Sequence, residues 1–433
     1  MAPNPQAEEL NGIITAVNPV ILSLLSAKGK AIFFPQKGIL GQTADAKGKA
    51  INATIGIALE EDGSPMRLAS IACEIPAIDP KDAFPYAPSF GKPELRKRWK
   101  EMLAEKNPSL KGKCYSLPVV THALTHALSM CGYLFINEGD ELITPDLYWG
   151  NYNLCFKNAY GASFSMFPLF AGEGFNTSGL AEALKKGGSK KIVLLNFPNN
   201  PAGYTPTVKE YERIIAILLA SAESGKHLVV LCDDAYFGLI YRRGIAEESL
   251  FAQLCDLHEN LLAVKIDGAT KEDYVWGLRV GFITYGIKGA TPRLFEALEA
   301  KTAGAVRGSI SNVSHLSQSL VLKAFTHPSY AKQKQEKYAI LKKRCDAVIS
   351  VLEHHPEYGE CFTALPFNSG YFMCVALAEG IDSERVRQML LKDYSTGVIA
   401  LPGMLRLAFS ACRTSDIPDL FENIYQACKS LKA

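Results

Sequence analysis

Long hydrophobic runs are missing from this sequence. Its longest apolar stretches, such as 192–195 and 228–232, are far too short to span a bilayer. The opening residues, MAPNPQAEEL, lack the basic and apolar regions of a secretory leader. No long basic block is present and the net charge is +2, so neither nucleic acid nor an anionic membrane is an expected partner. There is no G-x-x-x-x-G-K-[ST] and no strand-linked G-x-G-x-x-G, which removes the phosphate loops of nucleotide triphosphatases and dehydrogenases. His122 and His126 sit four apart, yet the Glu of H-E-x-x-H and a third ligand are missing, so no metal is expected. The 11 cysteines include no C-x-x-C pair, which points to reduced thiols and a cytoplasmic address.

What is present is ordinary globular material. The chain has 433 residues, 48% hydrophobic and 21% charged, enough for two or three domains with a large core. Residues 140–145, 163–170, 191–198, 227–233, 261–267 and 280–286 read as short buried strands. Amphipathic stretches lie between several of them, among them 207–225, with a Thr cap and a closing Gly225. Such alternation predicts an α/β fold with a mostly parallel sheet flanked by helices. Residues 119–130, VVTHALTHALSM, read as the start of an apolar-faced helix. Charged helical sequence at 329–355, strand-like pieces at 369–377 and 404–410, and a closing helix predict a smaller α+β domain. The expected organisation is a large domain at 61–325 and a small one at 326–433, with the N-terminal segment 1–60 packing on the latter.

In an open parallel sheet, ligands sit outside the carboxyl ends of the strands. Asn200, in a turn built by Pro201 and Gly203, follows one strand. Asp233 and Tyr236 follow the next, and Lys271 the one after, with Arg279 eight residues on. Alone, each is an ordinary turn former or a solvated cation. Together they describe one ligand, a phosphorylated aromatic aldehyde with a ring nitrogen and a phenolic oxygen. An amine can form an imine with it, a carboxylate can hold the ring N–H, and an amide and a phenol can hold the ring oxygen. Arg279 and a helix N-terminus at Thr121 and Thr125 can hold the phosphate. That ligand is pyridoxal 5′-phosphate (PLP).

At this point the chain resembles the fold-type I PLP-dependent aminotransferases of class I/II, the aspartate and aromatic aminotransferase group. The resemblance runs from about Asn52 to Ser410 on six motifs in order: INATIGIALEEDG, YAPSFGKPELR, NNPAG, DDAY, the Lys271–Arg279 spacing and LRLAFS. It implies a large domain with a sheet of the seven-stranded type. It also implies that Lys271 links to the cofactor and then shuttles a proton, and that Asp233 keeps the ring nitrogen protonated. Asn200 and Tyr236 would hold the ring oxygen, with Asn200–Pro201 cis as in relatives. Arg279, Thr125 and the N–H groups of Leu124 and Thr125 would hold the phosphate, and Tyr86 would reach the phosphate of the other subunit of a homodimer. Trp149, or its neighbour Tyr148, would stack on the ring. Arg406 would take the substrate α-carboxylate, with Thr54, Asn200 and Trp149 also lining the substrate side. Gly268 departs from the family, standing where many relatives have a hydroxyl.

The stretch AVRGSISN (305–312) resembles the loop that sends an arginine across the dimer interface to a distal carboxylate. Arg307 falls on that arginine, which suits aspartate, glutamate and their 2-oxo acids; aromatic substrates stay open, because glutamate is commonly the other substrate. The rivals are another PLP reaction on this fold, such as a carbon–sulfur lyase or a decarboxylase, and a non-catalytic PLP-binding protein.

Overall fold

The computed structural model describes residues 4–17, 39–54 and 56–432. Seven strands form the central sheet: β1 (Val119–His122), β2 (Glu141–Pro145), β3 (Ser163–Phe167), β4 (Lys190–Asn196), β5 (His227–Asp233), β6 (Leu261–Asp267) and β7 (Val280–Gly286). Their spatial order is β1-β7-β6-β5-β4-β2-β3. Each strand from β2 to β6 runs parallel to its neighbours among them, while β7 runs antiparallel to both β1 and β6. The inner strands are buried almost throughout, β7 along its whole length, which is why they read as continuous apolar runs rather than as alternating patterns.

Helices cover this sheet. The relevant ones are α1 (Ala123–Phe135), α2 (Val208–Glu223), α3 (Ala269–Glu272), α4 (Pro292–Ile310), α5 (Tyr330–His354) and α6 (Ile417–Lys432). The Thr cap expected before α2 is there: Thr207 and Glu210 form a reciprocal capping box, satisfying N–H groups the first turn cannot bond internally. One reading is corrected. Residues 119–122 are a strand, and the helix starts only at Ala123. Val119 and Val120 are β-branched and fully buried, and they pair with Ile283 and Phe282 of β7. Tertiary pairing wins there over a helical apolar spacing. Among the described residues, no helix is long and apolar enough to cross a membrane.

A second sheet is antiparallel: β8 (Phe362–Ala364), β9 (Met373–Leu377), β10 (Ile399–Leu401) and β11 (Met404–Leu407), in the order β8-β9-β11-β10. Residues 39–52 of the N-terminal segment lie beside it. Ile51–Asn52 pairs in parallel with Thr396–Gly397, and the Gln42 amide exchanges hydrogen bonds with the backbone of Ala400 at 3.1 and 2.6 Å. Residues 18–38 of that segment lie outside the described residues.

The edge of the central sheet is held together by close backbone approach. A Cβ on Gly281 would stand 2.8 Å from the carbonyl carbon of Ala123, and one on Gly268 2.6 Å from the carbonyl oxygen of Val280. The start of α1 therefore sits directly on the β6–β7 connection. Neither clash involves a flexible side chain that could move aside. Gly281→Ala should cost about 1–3 kcal/mol, as overpacking does in tight sites; urea unfolding with an unchanged slope would measure it.

Candidate active site

The carboxyl ends of β4, β5 and β6 come together. Asp233, the last residue of β5, is 2% exposed. Its Oδ1 accepts the Ala235 N–H at 3.1 Å and its Oδ2 accepts the Tyr152 hydroxyl at 2.5 Å. No cation lies within ion-pair distance of it among the described residues, although Lys271 is near enough to act on it electrostatically. Burial pushes its carboxyl up from 3.8 to about 6, opposed by the Tyr152 hydrogen bond and the Lys271 charge. Asn196, ending β4, donates to the Asp233 carbonyl at 2.8 Å and accepts the Asn200 N–H at 2.8 Å, tying the two strand-end loops together.

Lys271 lies in the one-turn α3 between β6 and β7, with its Nζ 4.8 Å from the centre of the Tyr236 ring. Burial lowers its amine from 10.5 to about 8; Asp233 opposes that and Arg279 adds to it. The Tyr236 hydroxyl, buried and hydrogen-bonded to Asn200, is pushed upward and stays protonated. The Asn200–Pro201 peptide is cis, and so is Phe197–Pro198. In the following turn, Gly203 has φ +71°, and a Cβ there would lie 1.8 Å from the Phe372 carbonyl oxygen, so only glycine fits.

Because β7 runs against the rest, its beginning lies at the edge where β6 ends. That places Arg279, just before Val280, beside Lys271 and beside the start of α1 with Leu124 and Thr125. Arg279 is half-buried and donates only to the Trp276 carbonyl, at 3.2 Å; it has no carboxylate partner among the described residues. The missing hydroxyl at Gly268 has a steric reason, since any side chain would strike the Val280 carbonyl. His122 and His126 are not a metal pair. His126 Nδ1 accepts the His122 N–H at 3.1 Å while its Nε2 meets Ser309 Oγ at 2.9 Å, and burial lowers its imidazole to about 4. It is a neutral link between α1 and the last turn of α4.

Arg406 on β11 is 3% exposed. Its Nη1 donates to Asn200 Oδ1 at 3.3 Å and its Nη2 to the Thr54 carbonyl at 3.2 Å, while its plane lies over Phe372 at 4.3 Å. Its Nε has no partner, and no carboxylate neutralises it among the described residues. A buried guanidinium left with an open N–H fits an incoming carboxylate. The Thr54 hydroxyl is turned away to Asn52 Oδ1 at 2.6 Å, so Thr54 meets this site through its carbonyl.

Trp149 packs edge-on against Tyr152, centroids 5.7 Å apart, and thus sits next to the group that holds Asp233. Tyr148 also stacks on Tyr152, centroids 6.2 Å apart, exchanges hydrogen bonds with Asn153 and packs its edge on Phe164, so both aromatics border Tyr152. The structure does not bring Tyr86 or Arg307 to these residues. Tyr86 is 88% exposed, and Arg307 is exposed in the last turn of α4. The segments that carry them meet, since Ser89 Oγ donates to the Ser311 carbonyl at 2.8 Å. Tyr152, Asn196 and Phe372 were missed from sequence. Only for Tyr152 was there a signal, an aromatic three residues after Trp149.

The residues fit PLP. The Lys271 amine and the buried Asp233 carboxylate act on each other electrostatically, Tyr236 lies beside the amine and is bonded to Asn200, and Arg279 has no carboxylate partner among the described residues. The family model for aminotransferase class I and II matches residues 51–424. A "Probable aspartate/prephenate aminotransferase" of Aquifex aeolicus is 26% identical over 338 residues, covering 75% of this chain and 79% of that protein. An aspartate aminotransferase of Bacillus sp. (strain YM-2) is 30% identical over 201 residues, about half of each chain: 46% of this one and 47% of the other. The fold matches an aminotransferase of Anaerococcus prevotii with TM-score 0.83 and 23% identity, covering 94% of this chain and 99% of that one.

The charge on Asp233 has a stability cost with a definite sign. Above pH 6 the folded protein carries the buried charge; between 6 and 3.8 folding takes up a proton; below 3.8 the cost is gone. Asp233→Asn should therefore stabilise the cofactor-free protein at pH 7.5, by up to about 3 kcal/mol. The difference should shrink as pH falls toward 4, read from urea midpoints at both pH values.

Proposed function

The chain belongs to the aminotransferase class I and II family and is a PLP-dependent aminotransferase, and we propose that it exchanges amino groups between aspartate, glutamate or an aromatic L-amino acid and a 2-oxo acid such as 2-oxoglutarate. One observation carries the substrate reading: Arg406 is buried with a free Nε, has no acid to neutralise it among the described residues, and is bonded to Asn200.

Bound PLP supplies an aldehyde that links to amines and a ring that accepts the electron pair left when an α-proton departs. In this reading Lys271 holds the cofactor. Once displaced by the substrate, its amine takes the proton from the substrate α-carbon; an amine near 8 is a competent base at neutral pH. Asp233, ionised above about 6, faces the ring nitrogen and keeps it protonated. Asn200 and Tyr236 donate to the ring oxygen, and Trp149 stacks on the ring. The N–H groups of Leu124 and Thr125, the Thr125 hydroxyl and Arg279 hold the phosphate. Arg406 takes the α-carboxylate, positioned by the Thr54 carbonyl and Asn200. In this organisation 61–325 form the PLP-binding domain, and 326–433 with the N-terminal segment the small domain.

We read the active form as a homodimer. Tyr86 and Arg307 are exposed, as are Phe84, Ile310 and Leu316, on segments that touch through Ser89–Ser311 and His315–Pro85, so a second subunit packed over these segments would cover the apolar side chains and receive both polar ones. Arg307 would then meet a distal carboxylate in the partner's site. We place the protein in the cytoplasm on the strength of its 11 unpaired cysteines.

Lys271→Ala should lower the rate at which an amino acid alone converts the PLP form to the pyridoxamine form by at least about 100-fold. A carbon–sulfur lyase or decarboxylase would fail to show that conversion even with Lys271 intact. Arg307→Ala should lower kcat/KM for aspartate and glutamate by about 100-fold, the weight of a lost charge-assisted pair. An unchanged aspartate response would remove Arg307 from the substrate site.

A further inference from the structure

Two acids follow Lys271 directly, and both are buried: the Glu272 side chain is 6% exposed and that of Asp273 0%. Glu272 Oε1 receives Lys106 Nζ at 2.6 Å and Lys334 Nζ at 2.8 Å. Asp273 Oδ1 receives Lys334 Nζ at 3.1 Å and the Tyr330 hydroxyl at 2.6 Å. Lys334 thus bridges both residues that end the Lys271 helix, and it does so from α5, some sixty residues away in sequence.

The same helix reaches the other pole of the site. Ten residues after Lys334, or about 15 Å along a helix rising 1.5 Å per residue, Arg344 is fully buried and donates through Nη1 to the Ser410 carbonyl at 2.5 Å. Ser410 lies four residues past Arg406. Its N–H points to the Tyr371 carbonyl at 3.4 Å, and the Tyr371 hydroxyl donates to the Lys271 carbonyl at 3.0 Å. The contacts form a closed ring: Lys271, its two acids, Lys334, α5, Arg344, Ser410, Tyr371 and back to Lys271. Between the two ends, Lys337 pairs with Glu60 at 2.5 Å and the Tyr338 hydroxyl donates to the Ile240 carbonyl, so α5 is also held midway.

We propose that α5 is a strut that sets the spacing between the Lys271 amine and the Arg406 guanidinium, with Lys334 as the positioning residue at the amine end. A substrate gripped by its carboxylate at Arg406 must present its α-carbon to the Lys271 amine, so a rigid spacer between those groups governs the proton transfer rather than the grip. Neutralising Asp273 does not by itself call for the second contact of Lys334, because Glu272 already has Lys106 and buried ion pairs are costly to desolvate. The inference rests on the reading of Lys271 and Arg406 given above.

The test begins on wild-type holoenzyme. Borohydride reduction and peptide mapping should place the cofactor on Lys271; label elsewhere would sink that underlying reading, not the strut. Lys334→Met, Lys334→Arg and Tyr330→Phe holoenzymes are then compared by the pH midpoint of the bound cofactor's visible absorbance, by kcat and KM for the amino donor, and by melting temperature. In Lys334→Met two acids beside Lys271 share one cation, so added negative charge should raise the midpoint by about one pH unit. Misplacement of the amine should lower kcat by about 10- to 100-fold, with KM changed by less than about twofold because Arg406 is intact. Lys334→Arg should restore most of both. A lower melting temperature with midpoint and kcat unchanged would overturn the proposal and leave Lys334 a stability residue. If Lys334→Met does not fold, Tyr330→Phe decides: it loosens Asp273 with both lysines in place, and a kcat equal to wild type would overturn the strut.

Discussion

A carboxylate buried without a salt-bridge partner sits at the heart of this molecule. Asp233 is held by a phenol and a backbone N–H rather than by a cation, and burial raises its carboxyl to about 6. Arg406 is its counterpart in charge, a buried guanidinium with no acid to neutralise it among the described residues. Proteins seldom keep two opposite charges desolvated and unpaired, because each costs free energy while the site is empty. On the function proposed above, the cofactor's ring N–H would complement the acid and the substrate's carboxylate the arginine. Function here is written as an electrostatic deficit in the folded chain.

The architecture explains how those charges reach one place. Parallel strands deliver their carboxyl ends to a common edge, and Asn200, Asp233 and Lys271 follow β4, β5 and β6 there. The antiparallel β7 adds what a purely parallel sheet could not, the beginning of a strand at that same edge, and with it Arg279. Gly268 and Gly281 then let the start of α1 close down onto the β6–β7 connection. Arg406 comes from the other sheet and is fixed from both sides, by Asn200 and by the Thr54 carbonyl. The site is therefore a joint between two sheets.

Much of this was legible in the sequence because strand ends carry their own punctuation. Pro201 and Gly203 mark one turn and Asp233 another, and the six strands with continuous apolar runs were readable as such. The strand at 119–122 was not, since VVTHALTHAL keeps helical apolar spacing while its β-branched start is claimed by β7. Tyr152 escaped although an aromatic three residues after Trp149 was visible, because its role depends on a contact with Asp233, eighty-one residues away in sequence. Tyr86 and Arg307 were named only by resemblance, and in the structure both are exposed side chains away from the other candidate residues. The acids after Lys271 gave no hint of purpose, because the lysine that joins them lies on a distant helix.

The reversed direction of β7 has one more effect. The stretch from Gly268 to Arg279 leaves β6 and enters β7 at the same rim, so it never travels across a face of the sheet. The reactive amine and the cation beside it are therefore carried on a short arch with both feet in the most rigid layer of the molecule. Other elements grip that arch through four side chains, Tyr371, Lys334, Lys106 and Tyr330. The chemistry is insulated from most of the breathing of the protein, and what does get through arrives by a route short enough to trace side chain by side chain.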